Sequence, residues 1–480
     1  MSTRRRRRQP RNPYFLADNF NDTLAAGAVN GTLTNWRGVR VVTDTGNNLS
    51  LPGDGTLVVA GGTSTWGETT LAYTPGIIRP SGYANGNVLT FDVMADTDKK
   101  IWVGLSTSIV PGDFAAAACE HGLLFNDDGK LDVIAAGTTV KADAATLVNG
   151  TVYRVRFILY SAGCFYSISG GAFGTFGVTY TALHESISQT TATLYAAISN
   201  YNAVCTVDNV SAPIAQLALS FADYVTGIPL AEATALRDLF RRTTGNNWTN
   251  KTNWLSTTTA ANWYGVTVAG GHVTQIELNS NNLVGGAGWK PTAFTSATLT
   301  LLLYSNASAN FNFAIADFPS GLTTLYFYVY STASVITGAI ADFPSGLTTL
   351  YFYVYSTASV ITGAVADFPS GLTTLIFQVN STSSVITVGA VPLPYAGIQT
   401  SLLFMGWGQA TVDAYLLRLW TDRVIFTKTL PTLNISTSNA APSGIYQDGD
   451  PPDTGKEYIY ELVVDPEVEG FKKWAITYTP

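Results

Sequence analysis

Residues 314–338, AIADFPSGLTTLYFYVYSTASVITG, recur without one change as residues 339–363, and a diverged third copy, AVADFPSGLTTLIFQVNSTSSVIT, begins at Ala364. A repeat of fixed period constrains a fold more than any single motif does. Each unit is too small to bury its own apolar face, so neighbours must stack and share one continuous core. Within the unit, Leu325-Tyr-Phe-Tyr-Val-Tyr330 alternates aliphatic residues or Phe with Tyr. That period of two predicts a strand with Leu325, Phe327 and Val329 inward and Tyr326, Tyr328 and Tyr330 outward. The second copy adds Tyr351, Tyr353 and Tyr355 one rung, ~4.7–4.9 Å, away, and the third adds Gln378. These seven residues form a candidate ligand-binding face, because flat rings with hydroxyl rims suit sugars. Two competing readings are that the rings only stiffen the sheet and that another subunit covers them.

The rest of the repeat bears on role as well as shape. Ala316-Asp-Phe-Pro-Ser-Gly321 is too short and too rich in Pro and Gly for a regular helix, so loops or 3₁₀ turns are expected, with Phe318 and Phe343 facing the core. Core positions Ile276, Leu301, Leu325, Leu350 and Leu375, at steps of 25, 24, 25 and 25, predict one parallel sheet, with a looser sixth strand at Leu402-Leu-Phe404. An exact extra copy adds nothing to a catalytic centre, whereas a spacer or a ladder-like face lengthens by one rung.

Both flanks of the repeats carry recognisable punctuation. Pro229 to Arg242 reads as a helix, with Pro229 in its first turn, an apolar stripe of Leu236, Leu239 and Phe240, and Gly245 at its end. Beyond it come Gly245-Asn-Asn-Trp-Thr-Asn-Lys-Thr-Asn-Trp-Leu255, Asn262-Trp-Tyr-Gly-Val266 and Val273-Thr-Gln-Ile-Glu-Leu-Asn-Ser-Asn-Asn-Leu283. This run resembles the N-terminal cap and first repeat of plant-type leucine-rich-repeat proteins. The resemblance implies that Trp248, Trp254 and Trp263 close the open end of a solenoid core. Val268 stands where that family usually carries a disulfide-linked cysteine, which suits folding in a reducing compartment. The family's inward Asn ladder, present as Asn281 and Asn306, is read as becoming Tyr330 and Tyr355 and returning as Asn380. Downstream, the chain presents a helix over Val412–Trp420, Thr432-Leu-Asn-Ile-Ser436, a loop over Thr437–Gly444 and a closing Gly470–Thr479. This resembles the C-terminal closure of leucine-rich proteins encoded by phages and marine bacteria, with Tyr446–Asp453 replacing part of the usual helix.

Residues 13–215 follow a different rule. Short β-rich runs, such as Gly38–Thr43, Val88–Val93, Ile101–Leu105 and Val152–Tyr160, alternate with Gly, Asn and Asp turns, implying an antiparallel β-sandwich. Asn126-Asp-Asp-Gly129 is a strong hairpin signal, and a calcium reading of Asn126, Asp127, Asp128 and Asp132 is the weaker alternative. Asp18-Asn-Phe-Asn21, the Tyr153–Phe157 strand with its Gly hairpin, and Val207-Asp-Asn-Val-Ser211 resemble laminin-G or concanavalin-like jelly rolls. In that family the first and last strands often pair. The expected fold class is therefore multidomain and mostly β: a jelly roll followed by a leucine-rich-repeat solenoid with a parallel sheet and few helices. The expected divisions are a basic arm (1–12), the sandwich (13–215), a linker and cap (216–272), repeats (273–410) and a C-terminal cap (411–480).

The 480 residues carry few charges, 12% in all, on a background of Gly, Thr, Ser, Asn and Tyr, as in extracellular or virion β-proteins. Arg4, Arg5, Arg6, Arg7, Arg8 and Arg11 form a candidate assembly anchor, and they leave −13 on the rest of a chain whose net charge is −7. Nucleic acid is not favoured as their partner, since no interleaved aromatics or second basic patch accompany them. No apolar run reaches the ~20 residues of a membrane span. The arginines are not followed by a secretory h-region, so synthesis in a host cytosol is expected. Cys119, Cys164 and Cys205 read as buried thiols, and His121, His184 and His272 lack partners at metal-ligand spacing. Asp317, Asp342 and Asp367 recur only because the repeat recurs, and Asp448, Asp450 and Asp453 read as a Pro-Asp turn rather than a cation site. No catalytic motif is found, and the chain is expected to be no enzyme and to need no cofactor or metal. The expected role is a virion structural protein (a phage decoration, fibre or tail component) that joins capsid or tail proteins through its arm and sandwich. Host-surface glycan is the expected ligand, and a homo-oligomer is an open option. A cell-surface or secreted bacterial adhesin and a glycan-active enzyme are the alternatives.

Overall fold

The computed structural model describes 119–160, 163–187, 220–286, 288–303, 312–381, 383–389, 399–403, 406–421, 432–436, 438–464 and 473–480, with shorter segments between 14 and 116 and between 194 and 213. The arginine arm, Asn306 and Phe404 lie outside the described residues, as does the side chain of Cys205. The chain divides into two compact units, residues 1–225 with 255–258 and residues 226–254 with 259–480.

The first unit contains two antiparallel sheets. One runs Thr181–Ser186, Gly163–Ser169, Val152–Tyr160, Asn87–Met94, Val204–Pro213, Leu57–Ala60, Leu49–Pro52, Thr23–Leu24 in spatial order. The other runs Thr138–Thr146, Lys130–Ala135, Cys119–Phe125, Ile101–Ser106, Tyr195–Asn200, Thr69–Thr74, Gly38–Asp44, Gly31–Asn35. Alternation decides which side chains meet between them: Leu89, Phe91, Val155 and Phe157 from the first sheet pack with Val103, Leu105, Leu123 and Phe125 from the second. The opening strand Tyr14–Asp18 pairs antiparallel with Val204–Pro213, Asp18 lying opposite Val210. Asn126–Gly129 forms the expected hairpin, since the Asn126 N–H donates to the Lys130 carbonyl (2.8 Å) and Gly129 adopts φ 74°. The acidic oxygens there serve the turn. Asp132 accepts from the Asn126 amide and the Asp143 N–H, and Asp128 accepts from the Lys130 N–H.

The second unit opens with helix Leu230–Arg242, Pro229 standing just before it with φ −62°. Leu236, Leu239 and Phe240 are buried, and Arg241 and Arg242 complement the C-terminal end of the helix dipole. Gly245 begins a separate 3₁₀ turn rather than ending the helix. Trp254 packs against Trp248 (ring centroids 4.9 Å apart), Trp263 (5.0 Å) and Phe240 (5.7 Å), and all four are buried. A nine-stranded sheet comes next, in the order Val266–Ala269, His272–Glu277, Thr298–Leu303, Thr324–Tyr330, Thr349–Tyr355, Thr374–Val379, Gln399–Leu403, Thr432–Asn434, Ala475–Thr477. Its first pair is antiparallel and every later pair is parallel.

The register differs from the sequence expectation at one step. Ile276 pairs with Leu301, but Leu301 pairs with Phe327 rather than Leu325, and Phe327 leads on to Phe352, Phe377 and Leu402. Leu299 is the partner of Leu325. A slip of two residues leaves every side chain on its own face, so alternation alone does not detect it. The paired phenylalanines stack inside the sheet at 5.0 and 5.3 Å. Phe318, Phe343 and Phe368 meet them edge-on from the other side at 5.2–5.3 Å, just after the 3₁₀ turns at Ile315–Asp317, Ile340–Asp342 and Val365–Asp367.

Three features go beyond the sequence expectations. A second parallel sheet joins Asn312–Ala314, Val335–Ala339, Val360–Ala364 and Val385–Thr387. Gly338 and Gly363 allow it, because a Cβ on Gly338 would stand 3.0 Å from that of Ile315 and one on Gly363 would stand 3.3 Å from that of Ile340. A serine ladder occupies the inward turn where asparagine is expected. Ser331, Ser334, Ser356 and Ser359 are buried, Ser356 Oγ donates to the Ser334 carbonyl, and Ser359 Oγ accepts the Ile336 N–H at 2.9 Å. Asn281 itself is buried and bonded to the Asn250 backbone, but Tyr330 and Tyr355 are exposed and belong to no inward ladder. Finally, helix Gly455–Val463 succeeds the Tyr446–Asp453 loop, Glu457 accepting the Asp453 and Thr454 N–H groups at its start.

Candidate ligand-binding face

Strand pleating places each predicted aromatic on its predicted side. Leu325, Phe327, Val329, Leu350, Phe352 and Val354 are buried. Tyr326, Tyr328, Tyr351 and Tyr353 are half-buried on the opposite face, and Tyr330 and Tyr355 are 43% and 38% exposed. Because the two copies are identical and paired in register, each tyrosine meets itself one strand away. Ring centroids are 4.8 Å apart for Tyr326–Tyr351, 4.5 Å for Tyr328–Tyr353 and 4.4 Å for Tyr330–Tyr355, with planes within 12–23°. Stacked in this way, each ring covers part of its neighbour's face. The rows therefore present rims and hydroxyls along their length rather than one flat platform.

Two of these rows enclose a groove of about 280 Å³, lined by Tyr328, Tyr330, Tyr353, Tyr355, Gln378 and Asn380 over the backbone of Val329 and Val354. Burial, and secondarily the neighbouring phenol of Tyr353, push the Tyr328 hydroxyl up to about 12, and burial also raises that of Tyr353. Gln378 continues the Tyr328–Tyr353 row, being the register partner of Tyr353. The family resemblance makes Asn380 an inward ladder residue, yet it lines the groove. Strict alternation along Leu375-Ile-Phe-Gln-Val-Asn380 would have placed it there. Tyr326 and Tyr351 stand on the same face but do not line the groove, and their row continues to Ile376.

The other singled-out residues are used locally. His121 Nδ1 lies 2.9 Å from the Tyr166 hydroxyl, and complete burial holds the imidazole down at about 3. His184 stacks on Tyr166. His272 Nδ1 meets the buried carboxylate of Glu232 at 2.8 Å, and Thr295 Oγ1 meets the same nitrogen at 2.9 Å. Since both partners share one nitrogen, they do not form a relay through the ring. Asp317 pairs with Lys290, while Asp342 and Asp367 accept the Ala339 and Ala364 N–H groups at the starts of their 3₁₀ turns. Cys119 and Cys164 are buried thiols, pushed well up by burial. Among the described residues no cluster of three His, Cys, Asp or Glu is arranged to hold a metal ion.

No family model matches the chain, and no curated protein matches it. Among solved structures it is similar to a GH43B protein of the xyloglucan PUL of Bacteroides ovatus (TM-score 0.28, 10% identity, 45% of this chain and 41% of that one). It is also similar to the GH131 β-glucanase catalytic domain of Podospora anserina (TM-score 0.23, 12% identity, 38% and 74%) and to Trypanosoma rangeli sialidase (TM-score 0.27, 11% identity, 40% and 30%). The chain thus spans about two fifths of the length of the Bacteroides ovatus protein. The expectation that the chain is no enzyme is withdrawn, the three neighbours named being a GH43B protein, a β-glucanase catalytic domain and a sialidase. Likeness at this level assigns no activity, substrate or residue to this chain.

Proposed function

We propose that this chain is a structural protein of a virion, in the manner of a phage decoration, fibre or tail component, and that its tyrosine face binds glycans on the host surface. In this reading the second unit is a leucine-rich-repeat solenoid, and the first is a laminin-G or concanavalin-like sandwich. The arginine arm and sandwich attach the protein to acidic partners in the particle. The observation that carries the glycan reading is the groove between the Tyr328–Tyr353 and Tyr330–Tyr355 rows, open to solvent and lined by tyrosine and amide side chains. Rings with hydroxyl rims beside neutral amides supply the apolar contact and the hydrogen-bonding edges that a sugar requires. The parallel register and the buried Trp248/Trp254/Trp263 cluster support the solenoid reading.

The test replaces Tyr328 and Tyr353 together with Ala. Adsorption to host cells and retention on immobilised host glycans are expected to be lost while the melting temperature stays within a few degrees. Unchanged adsorption with a marked fall in melting temperature would mean that the rows only stiffen the sheet. For the particle itself, the chain is expected among the proteins of purified virions by mass spectrometry, and its absence there would overturn the virion reading.

A further inference from the structure

The composition of the groove narrows the class of ligand, provided that the groove binds glycan as proposed. No carboxylate, ammonium or guanidinium is among its lining residues. An anionic sugar entering it would give up hydration without meeting a cation, whereas a neutral sugar would not. The third repeat departs from the first two in an orderly way. Its inward positions keep Leu375, Phe377 and Val379, while Tyr gives way to Gln378 and Asn380 on the outer face. Both amides are half-buried, and neither side chain is hydrogen-bonded among the described residues. Gln378 lies in the strand Thr374–Val379 and Asn380 directly follows it, on the same side and about 6.6 Å away. Each offers a planar carbonyl acceptor beside an NH₂ donor. A hydroxyl also donates and accepts, but from a single atom, so it does not span the two side chains. A secondary amide matches it with its own carbonyl and N–H, and its methyl group then lies against aromatic carbon.

We propose that the groove between Tyr328–Tyr353–Gln378 and Tyr330–Tyr355–Asn380 is a subsite for an uncharged, N-acetylated sugar. The acetamido group bridges the Gln378 and Asn380 amides, and its methyl group and the apolar side of the sugar lie against the ring edges of Tyr353 and Tyr355. One or two hydrogen bonds specific to the acetamido group correspond to about a tenfold to hundredfold preference over the same ring bearing a hydroxyl.

The test is titration calorimetry of the full chain with triacetylchitotriose, cellotriose and 3′-sialyllactose. Triacetylchitotriose is expected to bind about tenfold or more tighter than cellotriose, with sialyllactose weakest because its carboxylate has no counter-ion in the groove. In the double variant Gln378→Leu/Asn380→Leu, that preference is expected to fall to within about threefold at an unchanged melting temperature. Equal binding of triacetylchitotriose and cellotriose would overturn the acetamido inference and leave glycan binding standing. Preference surviving in the double variant would place acetamido recognition elsewhere and likewise overturn it. Failure of every saccharide to bind would remove the glycan reading as well.

Discussion

The Tyr328 and Tyr353 rings lie 4.5 Å apart with their planes 12° apart, although 25 residues separate them in the chain. Parallel pairing in register of two identical repeats makes this the only arrangement in which each residue meets its own copy. The same relationship holds the Phe327 and Phe352 rings 5.0 Å apart on the buried face. One duplication thus builds a core stack and a surface row together.

The Tyr328 phenol is expected to ionise late. Its hydroxyl is pushed up to about 12 from an ordinary 10, so the folded state holds its proton where the unfolded state loses it. The contribution to stability is present below pH 10 and declines as pH rises from 10 towards 12. Ultraviolet titration should show late tyrosine ionisation whose amplitude falls by about one residue in Tyr328→Phe, the raised phenols of Tyr166 and Tyr353 remaining.

His121 should make the first unit acid-sensitive. Its imidazole is held at about 3 by burial, against 6.5 when unfolded, so stability is complete above pH 6.5 and falls as pH drops towards 3. The loss at pH 5 corresponds to about 2 kcal/mol. Melting tracked from pH 7.5 to pH 5 should decline in the native chain. His121→Gln, which keeps a donor for the Tyr166 hydroxyl, should flatten that slope.

Trp254→Ala should unfold or severely weaken the second unit. The side chain lies within 5.7 Å, centroid to centroid, of three other buried aromatic rings and donates its Nε1–H to the Tyr264 carbonyl at 2.8 Å. Removing a large buried aromatic costs about 3–5 kcal/mol. Denaturant unfolding monitored on the isolated transition of this unit gives the value, and a change below about 1 kcal/mol would show that the cap is not needed.

Deleting residues 339–363 should leave a folded protein shorter by one rung. The strand after the deletion would present Leu375, Phe377 and Val379 directly to Leu325, Phe327 and Val329, the same partners that the deleted copy now has. Stability should fall by roughly one repeat's share, because neighbouring units contribute nearly additively. Scattering should show the shorter particle, and glycan retention should drop with the loss of Tyr353 and Tyr355.

Much of this was legible in the sequence because the signals were periodic or chemically narrow. Alternation in Leu325–Tyr330 separated core from surface, the helix from Leu230 showed its stripe, and Asn126–Gly129 announced its hairpin. The misses have equally specific causes. Val335-Ile-Thr is β-branched but only three residues long before Gly338, too short to stand out, and it becomes a strand through pairing with Val360–Ala364. Helix Gly455–Val463 was hidden behind the Pro-rich loop before it. Family likeness assigns Tyr330 to an asparagine ladder, whereas the adjacent Ser331 is the residue that turns inward.

By itself, then, the sequence determined that identical units must stack, which residues of each strand face the core, and where the hairpin turn at Asn126–Gly129 falls. Those properties are local: side-chain period, turn chemistry and apolar spacing. Only the tertiary structure decided the register between Leu301 and Phe327, the serine ladder, the second sheet and the groove that unites Tyr328 with Gln378. A shift of two residues keeps every side chain on its face, so the choice among such shifts is made by packing across the sheet. There Phe327, Phe352 and Phe377 stack, and the outer face takes its form from that inner one.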